Sequence, residues 1–320
     1  MEQLNLGIIG TGVIAKSMAE KLNEVYGTIY GVTSVREESR VAFAKAYNIK
    51  NVFSTTEALL ADPMIDAVYI ATPHHLHASL IELALLAGKH VLCEKAITVT
   101  SKELEGLIAL ARSRSLILME AMTIFHMPLF QTLKQQVSEG LIGQLKIIQV
   151  NFGSHKDYDP SNRFFNPQLA GGALLDIGGY AVSVARLFLS EQPEVVMSTV
   201  DYFETGVDET SATILKNAVG QITALTLSMR AKQPKRALIA GDKGYLEIYD
   251  YPRGEVATFT ETASGKVREI RAGETSQALR YELLDFAHFV ETGDLDAAIG
   301  LSLDVSRLLD QIRNQWDKSK

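Results

Sequence analysis

In the first third of the chain, apolar residues fall into short continuous runs separated by stretches of helical period. Residues 4–9 form one such run, and Ala15, Met18, Ala19 and Leu22 behind it line one helix face. Further runs lie at 29–33, 67–71, 90–93 and 116–119. Helical patterns occupy 38–47, 76–87 and 102–113 between them. Continuous apolar strands alternating with helices predict an α/β unit, a doubly wound parallel sheet covered on both faces. Ligands of such sheets bind at the carboxyl ends of the strands.

The pattern changes in the second half. Candidate strands at 145–152, 195–202, 212–216, 222–229, 237–240 and 245–249 show polar and apolar alternation, as in Thr223, Leu225, Leu227 and Met229. Alternation predicts an antiparallel sheet with one face on a core. Gly241-Asp242-Lys243-Gly244 reads as a hairpin turn, and helices follow at 281–291 and 302–316. Met127-Pro128 opens a helix that carries the chain across, so the expected domains are 1–122 and 123–320.

Composition narrows the classes. A chain of 320 residues suits two domains, and 47% hydrophobic content suits large cores. A net charge of −7 argues against nucleic acid or an anionic membrane as the main partner. No apolar run approaches the ~18 residues of a membrane span. No basic region precedes the short N-terminal apolar run, so a secretory signal is not expected. Cys93 is the single cysteine, which excludes an intrachain disulfide and suits a reducing cytoplasm.

Candidate chemistry begins at Gly10-Thr11-Gly12-Val13-Ile14-Ala15, between the first strand and the first helix. Gly10 permits the tight turn, Gly12 lets the backbone approach phosphates, and Ala15 lets the helix pack close. The helix N-terminus supplies free N–H groups and positive dipole to a dinucleotide pyrophosphate. The next strand ends at Ser34 and Arg36. A small polar residue with an arginine favours the 2′-phosphate of NADP, although Glu37 and Glu38 leave NAD open.

Three further loops lie at strand tips. Thr72-Pro73-His74-His75-Leu76-His77 carries three histidines without a carboxylate or cysteine nearby in sequence, which fits cofactor contact by Thr72, Pro73, His74 and His77 better than a metal site. Glu94-Lys95 follows an apolar strand, where it is either a ligand-edge pair or a surface ion pair. Gly171-Gly172-Ala173-Leu174-Leu175-Asp176-Ile177-Gly178-Gly179-Tyr180 reads as a glycine turn opening a helix. Asp176 and Tyr180 are four apart and share a face, as a catalytic or a structural pair. A tyrosine serves as acid–base if a cation lowers its pKa from about 10. Thr123, His126, His155 and Arg163 are further candidate substrate contacts.

Gly10-Thr11-Gly12, the Ala71-Thr72-Pro73…His77 loop, Glu94-Lys95 and the Gly171–Tyr180 run, in this order, resemble the glucose–fructose oxidoreductase, inositol dehydrogenase and rhizopine-catabolism (Gfo/Idh/MocA) family. Tyrosine at 180 resembles its dihydrodiol and xylose dehydrogenase branch. The resemblance implies a Rossmann domain, then a substrate domain with an open, mostly antiparallel sheet that forms a homodimer. It implies hydride transfer between NADP (or NAD) and a small polyhydroxylated substrate such as a sugar or cyclitol. Tyr180 would be the acid–base, Lys95 would bind the same oxygen, Asp176 would orient, and Glu94 would lie on the cofactor side. Two other classes share the frame: a glycosidase acting through transient oxidation by NAD, and a non-enzymatic NADP-binding sensor.

Departures from the pattern carry their own expectations. Ala96 stands where the family has proline after Glu-Lys, which predicts a looser loop around Lys95. Ala170 replaces the first of three glycines. Gly179 replaces a branched apolar residue and predicts a roomier site. The stretch from Glu120 to Pro128 lacks the aromatic and basic residues of the dihydrodiol branch, which disfavours an aromatic diol.

Overall fold

The four residues of β1 (Leu6–Ile9) are buried on both faces, as a central parallel strand requires. In the computed structural model, which describes residues 4–26 and 29–317, they start a βα alternation. It continues through α1 (Val13–Tyr26), β2 (Gly31–Thr33), α2 (Glu37–Ala46), β3 (Asn51–Phe53), α3 (Thr56–Leu60), β4 (Ala67–Ile70), α4 (His77–Leu86), β5 (His90–Glu94), α5 (Ser101–Ser113) and β6 (Leu118–Ala121). The strands are parallel, in the order β3-β2-β1-β4-β5-β6. Strand order reverses between β1 and β4, which opens a crevice at the carboxyl edge. Helix starts are fixed locally. Thr100 and Glu103 form a reciprocal capping box on α5.

The second unit begins with α6 (Thr123–His126) and α7 (Pro128–Ser138), where Pro128 occupies the first turn. A long strand, β7 (Leu145–Gly153), leads through short turns to α8 (Gly179–Phe188). Seven strands follow: β8 (Glu194–Tyr202), β9 (Asp208–Lys216), β10 (Ile222–Ser228), β11 (Gln233–Gly241), β12 (Gly244–Tyr249), β13 (Val256–Glu261) and β14 (Val267–Arg271). They form one sheet with β7, in the order β14-β13-β12-β11-β7-β10-β9-β8. Its β7–β10 pairing is parallel and the other pairings are antiparallel.

Alternation assigns the two faces of that sheet. Ile148, Val150 and Phe152 of β7 lie in register with buried Thr223, Leu225 and Leu227 of β10. Helix α8 packs against β7 and β10. The other face carries Gln149, Leu238 and Ala224 in register, with an Arg236–Glu247 ion pair at 2.7 Å.

The chain ends with α9 (Ala278–Thr292) and α10 (Leu295–Asp317). One compact unit contains residues 1–121 and 279–303; the other contains 122–278 and 304–320. Residues 279–303, which the sequence pattern groups with the second domain, add Leu283, Phe286, Leu295 and Ile299 to the first hydrophobic core. Arg112 of α5 pairs with Asp296 on the same side. The tail of α10 belongs to the second unit, where Arg186 binds Asp304 at 2.9 Å and Trp316 donates to the Ser198 hydroxyl at 2.7 Å.

Phe286 is fully buried in the core of the first unit. Phe286→Ala is expected to cost about 3–5 kcal/mol by cavity formation, read as a lower urea midpoint for the transition of the first unit.

Candidate active site

The glycine loop has the geometry its sequence promises. Gly10 adopts φ +106° and donates its N–H to the Thr33 carbonyl at 2.9 Å. A Cβ there would lie 2.4 Å from the Ala71 carbonyl oxygen, so only glycine fits. A Cβ on Gly12 would meet open space, which leaves the backbone approachable. Val13, at the start of α1, is 84% exposed, and the first turn of α1 carries no acid. The positive helix end is thus uncompensated by its own side chains and open, which fits a dinucleotide pyrophosphate. Thr72 adds a buried hydroxyl with no hydrogen-bond partner among the described residues.

At the tip of β2 the Ser34 hydroxyl donates to the Arg36 carbonyl at 3.2 Å. Arg36 is exposed. Arg40, one turn into α2, folds back and donates to the Ser34 carbonyl at 3.2 Å. Its guanidinium also lies 3.7 Å from Glu37. Arg40 is a second cation beside the Ser34 loop. It escapes a motif reading because it lies inside a helix rather than at the strand tip.

The histidine loop and the Glu94-Lys95 loop are stitched together. His77 Nδ1 lies 2.9 Å from the Ala96 carbonyl oxygen, and His77 Nε2 lies 2.8 Å from the Thr72 carbonyl oxygen. Burial lowers the His77 pKa from the ordinary imidazole value, against the pull of the two carbonyls. His74 is buried edge-on to His77, while Pro73 and His75 are exposed. With both ring nitrogens against carbonyl oxygens, neither nitrogen of His77 is turned to a metal.

The residues around Lys95 are firmly held. Tyr69 donates its hydroxyl to Glu94 at 2.6 Å, and Ile97 donates its N–H to Glu120 at 3.0 Å. Ala96 and Ile97 are buried, and the Lys95–Ala96 peptide is cis. The looseness expected from alanine in place of proline is not what the structure shows, because three buried side chains (Tyr69, His77 and Glu120) grip the turn. Lys95 itself is half-buried. Cys93 is fully buried, and burial pushes its thiol well above its ordinary value, so it is no nucleophile.

Glu120 at the end of β6 was not singled out by sequence. Burial lifts its carboxyl to about 7, aided by the Glu94 charge and opposed by bonds from Ser302 and Ile97 and by Lys95. An acid inside an apolar strand was the only available signal.

In the second unit, Ala170 adopts the left-handed conformation at φ 56°, and Gly172 follows at φ +113°. A Cβ on Gly172 would lie 2.0 Å from Asp208 Oδ1. Asp208 of β9 caps the helical start, accepting from the Leu174 N–H at 2.6 Å. Its own carboxyl is lifted to about 6 by burial, against those backbone donors. Residues Leu174–Gly178 form a π-helical turn before α8. This turn carries Asp176, 9% exposed, and the first turn of α8 carries Tyr180, which is half-buried. Lys156 and Arg163 approach Asp176 at 3.7 and 3.8 Å. The Phe152 ring lies 6.2 Å from that of Tyr180. Gly179 does not make the site roomier, because the Met122 methyl lies 3.3 Å from where its Cβ would be.

The remaining candidates differ in placement. Thr123 is buried and donates its hydroxyl to the Pro252 carbonyl at 2.8 Å, an internal tie. His126 is buried in α6 and His155 is exposed. The residue between His155 and Asp157, Lys156, is the one that reaches Asp176.

Comparison with known proteins places this geometry. Residues 4–122 match a model described as an oxidoreductase family with an NAD-binding Rossmann fold, and residues 130–247 match the C-terminal domain of the same GFO/IDH/MocA family. A trans-1,2-dihydrobenzene-1,2-diol dehydrogenase from Mus musculus is 33% identical over 77% of this chain and 74% of its own length. The enzyme of that name from Xenopus laevis is 34% identical over 76% of this chain and 74% of its own. Among solved structures, a 3-ketoreductase from Actinomadura kijaniata in complex with NADP and TDP-benzene superposes with a TM-score of 0.89 at 27% identity, covering 98% of both chains. A levoglucosan dehydrogenase shares the fold, with a TM-score of 0.90 at 21% identity over 100% of this chain and 98% of that one. The chain belongs to the Gfo/Idh/MocA oxidoreductase family and is a nicotinamide-dependent dehydrogenase or reductase.

The raised Glu120 pKa sets a pH dependence. Between about 4.5 and about 7 the folded protein holds a proton on Glu120 that the unfolded chain has released. Stability from this group is therefore present below 4.5 and lost as pH rises to 7, by about 3 kcal/mol. Glu120→Gln is expected to remove that loss, so that denaturation midpoints of variant and parent diverge in the variant's favour from pH 5 to pH 8.

Proposed function

We propose that the enzyme interconverts a hydroxyl and a carbonyl on a small polyhydroxylated molecule of the sugar, cyclitol or diol class, using NADP in preference to NAD. The nicotinamide, when bound, supplies or accepts the hydride. Tyr180 takes the hydroxyl proton in oxidation and returns it in reduction. Lys95 binds the same oxygen and, as a cation, favours the ionised tyrosine. Asp176 orients the substrate side of this machinery. Glu94, held by Tyr69, lies on the cofactor side.

The observation that carries this reading is the Asp176–Tyr180 pair on a helix whose start is fixed by Gly172 and Asp208. A tyrosine on a plain surface helix needs no such support. Relatives named as diol dehydrogenases and a ketoreductase solved with NADP agree with a hydroxyl or carbonyl substrate. The coenzyme preference rests on Ser34, exposed Arg36 and the folded-back Arg40, two cations beside the tip of β2 that would suit a ribose 2′-phosphate. Contact with the cofactor is also assigned to Gly10, Thr11, Gly12, Val13, Ile14, Thr72, Pro73, His74 and His77.

The open face of the eight-stranded sheet pairs two copies in this reading. That face mixes Leu238, Ala224 and Tyr245 with Gln149, Arg236 and Glu247, a composition suited to burial against its own copy. A reducing cytoplasm suits the single buried Cys93.

Tyr180→Phe and Lys95→Ala are each expected to lower turnover roughly 10²–10⁴-fold with NADPH affinity unchanged, measured by nicotinamide absorbance and fluorescence titration. Near-parental turnover in both would reject the roles assigned. Arg36→Ala is expected to weaken NADPH binding by at least about tenfold while leaving NADH binding as it was. Sedimentation should give the mass of two chains, and a single-chain mass would remove the pairing.

A further inference from the structure

We infer that the substrate carries an anionic group, a carboxylate or a phosphate, received by Lys156 and Arg163 beside Asp176. The inference rests on the reading of Tyr180 above and adds the chemical class of what it acts on.

Lys156 lies on the extended stretch after β7, and Arg163 on a short helical turn, Arg163–Phe165. From these separate segments both reach Asp176, at 3.7 and 3.8 Å. Both distances exceed hydrogen-bond range, so neither cation is locked onto the carboxylate. The same two cations lie over one ring, Phe164, at 3.9 and 4.1 Å from its centre. A phenyl ring attracts cations but carries no net charge. Two positive charges thus share one carboxylate, an excess of one positive charge over these three side chains, in a chain whose net charge is −7.

That excess is partly desolvated. The side chains of Lys156 and Asp176 are only 21% and 11% exposed, whereas Arg163 is 43% exposed. The Asp176 carboxylate offsets one of the two cations, and a second anion would offset the other. The arginine offers a planar fork suited to two oxygens, and the lysine a point charge. Asp176 precedes Tyr180 by four residues, so the anion would sit about one helical turn from the reacting hydroxyl. A further cation, Lys235, lies 5.3 Å from the centre of the Phe152 ring, which neighbours Tyr180. A neutral sugar would take hydrogen bonds from these cations but leave their charge uncompensated.

The test is calorimetric titration of the NADP-saturated protein with three probes: D-glucose, D-glucuronate and D-glucose 6-phosphate. At least one anionic probe should bind about tenfold or more tightly than D-glucose. That advantage should vanish in the double variant Lys156→Gln with Arg163→Gln, persist in Lys156→Arg, and persist in Tyr180→Phe. Preference for glucuronate identifies a carboxylate, and preference for the 6-phosphate identifies a phosphate. Equal binding of all three, no binding of either anion, or an anion preference that survives the double variant would overturn the inference. Anion binding that depends on Lys156 and Arg163 without turnover of any bound probe would uphold the anion site and count against the oxidoreductase role of Tyr180. Turnover of D-glucose without an anion preference would do the reverse.

Discussion

His77 joins the loops that follow two neighbouring strands, β4 and β5. One ring nitrogen faces the Thr72 carbonyl and the other faces the Ala96 carbonyl, so a single side chain ties the turn after β4 to the turn after β5. Whichever nitrogen carries the hydrogen, one loop is held; a protonated ring would clasp both. Glu120 and Tyr69 complete the hold on the second turn. These bonds are buried, where an unmade hydrogen bond costs more than a made one contributes. The placement of Lys95 therefore depends on polar groups that are individually modest and collectively hard to do without.

The second unit solves the equivalent problem from outside the helix. The chain must turn sharply into the segment bearing Asp176 and Tyr180, and it does so through left-handed Ala170 and Gly172. The N–H groups freed at that start are met by Asp208, far along the chain on β9. Asp208 so nearly fills the space above Gly172 that any side chain there would displace it. The acid–base candidate is thus positioned by the sheet rather than by its own helix.

Much of this was legible in the sequence because it is local. Parallel strands buried on both faces announce themselves as apolar runs, and Gly10-Thr11-Gly12 sits where a strand meets a helix. Ser34, Glu94-Lys95 and the Gly171–Tyr180 run lie at predictable tips and turns. What was not legible depends on distant pairings. β13 and β14 were missed because threonine and charge dominate them, with Ile270 the buried residue of β14. Asp208, Glu120 and Lys156 gain their meaning from partners far away in the sequence or on other elements. His155 was the substrate candidate of its stretch, and only three-dimensional placement separates its exposed ring from the half-buried ammonium of Lys156 beside it. A missing proline at 96 predicted slack that the buried bonds around it remove.

The first unit is assembled from both ends of the chain, since Leu283, Phe286 and Ile299 fill a core begun by Leu6 and Ile8. During synthesis the nucleotide-binding sheet must therefore wait for residues 279–303 to leave the ribosome before its last apolar flank is covered. The intervening second unit can complete most of its own sheet in that interval. Vectorial translation thus inverts the order that the linear map suggests: the segment read first is among the last to be sealed.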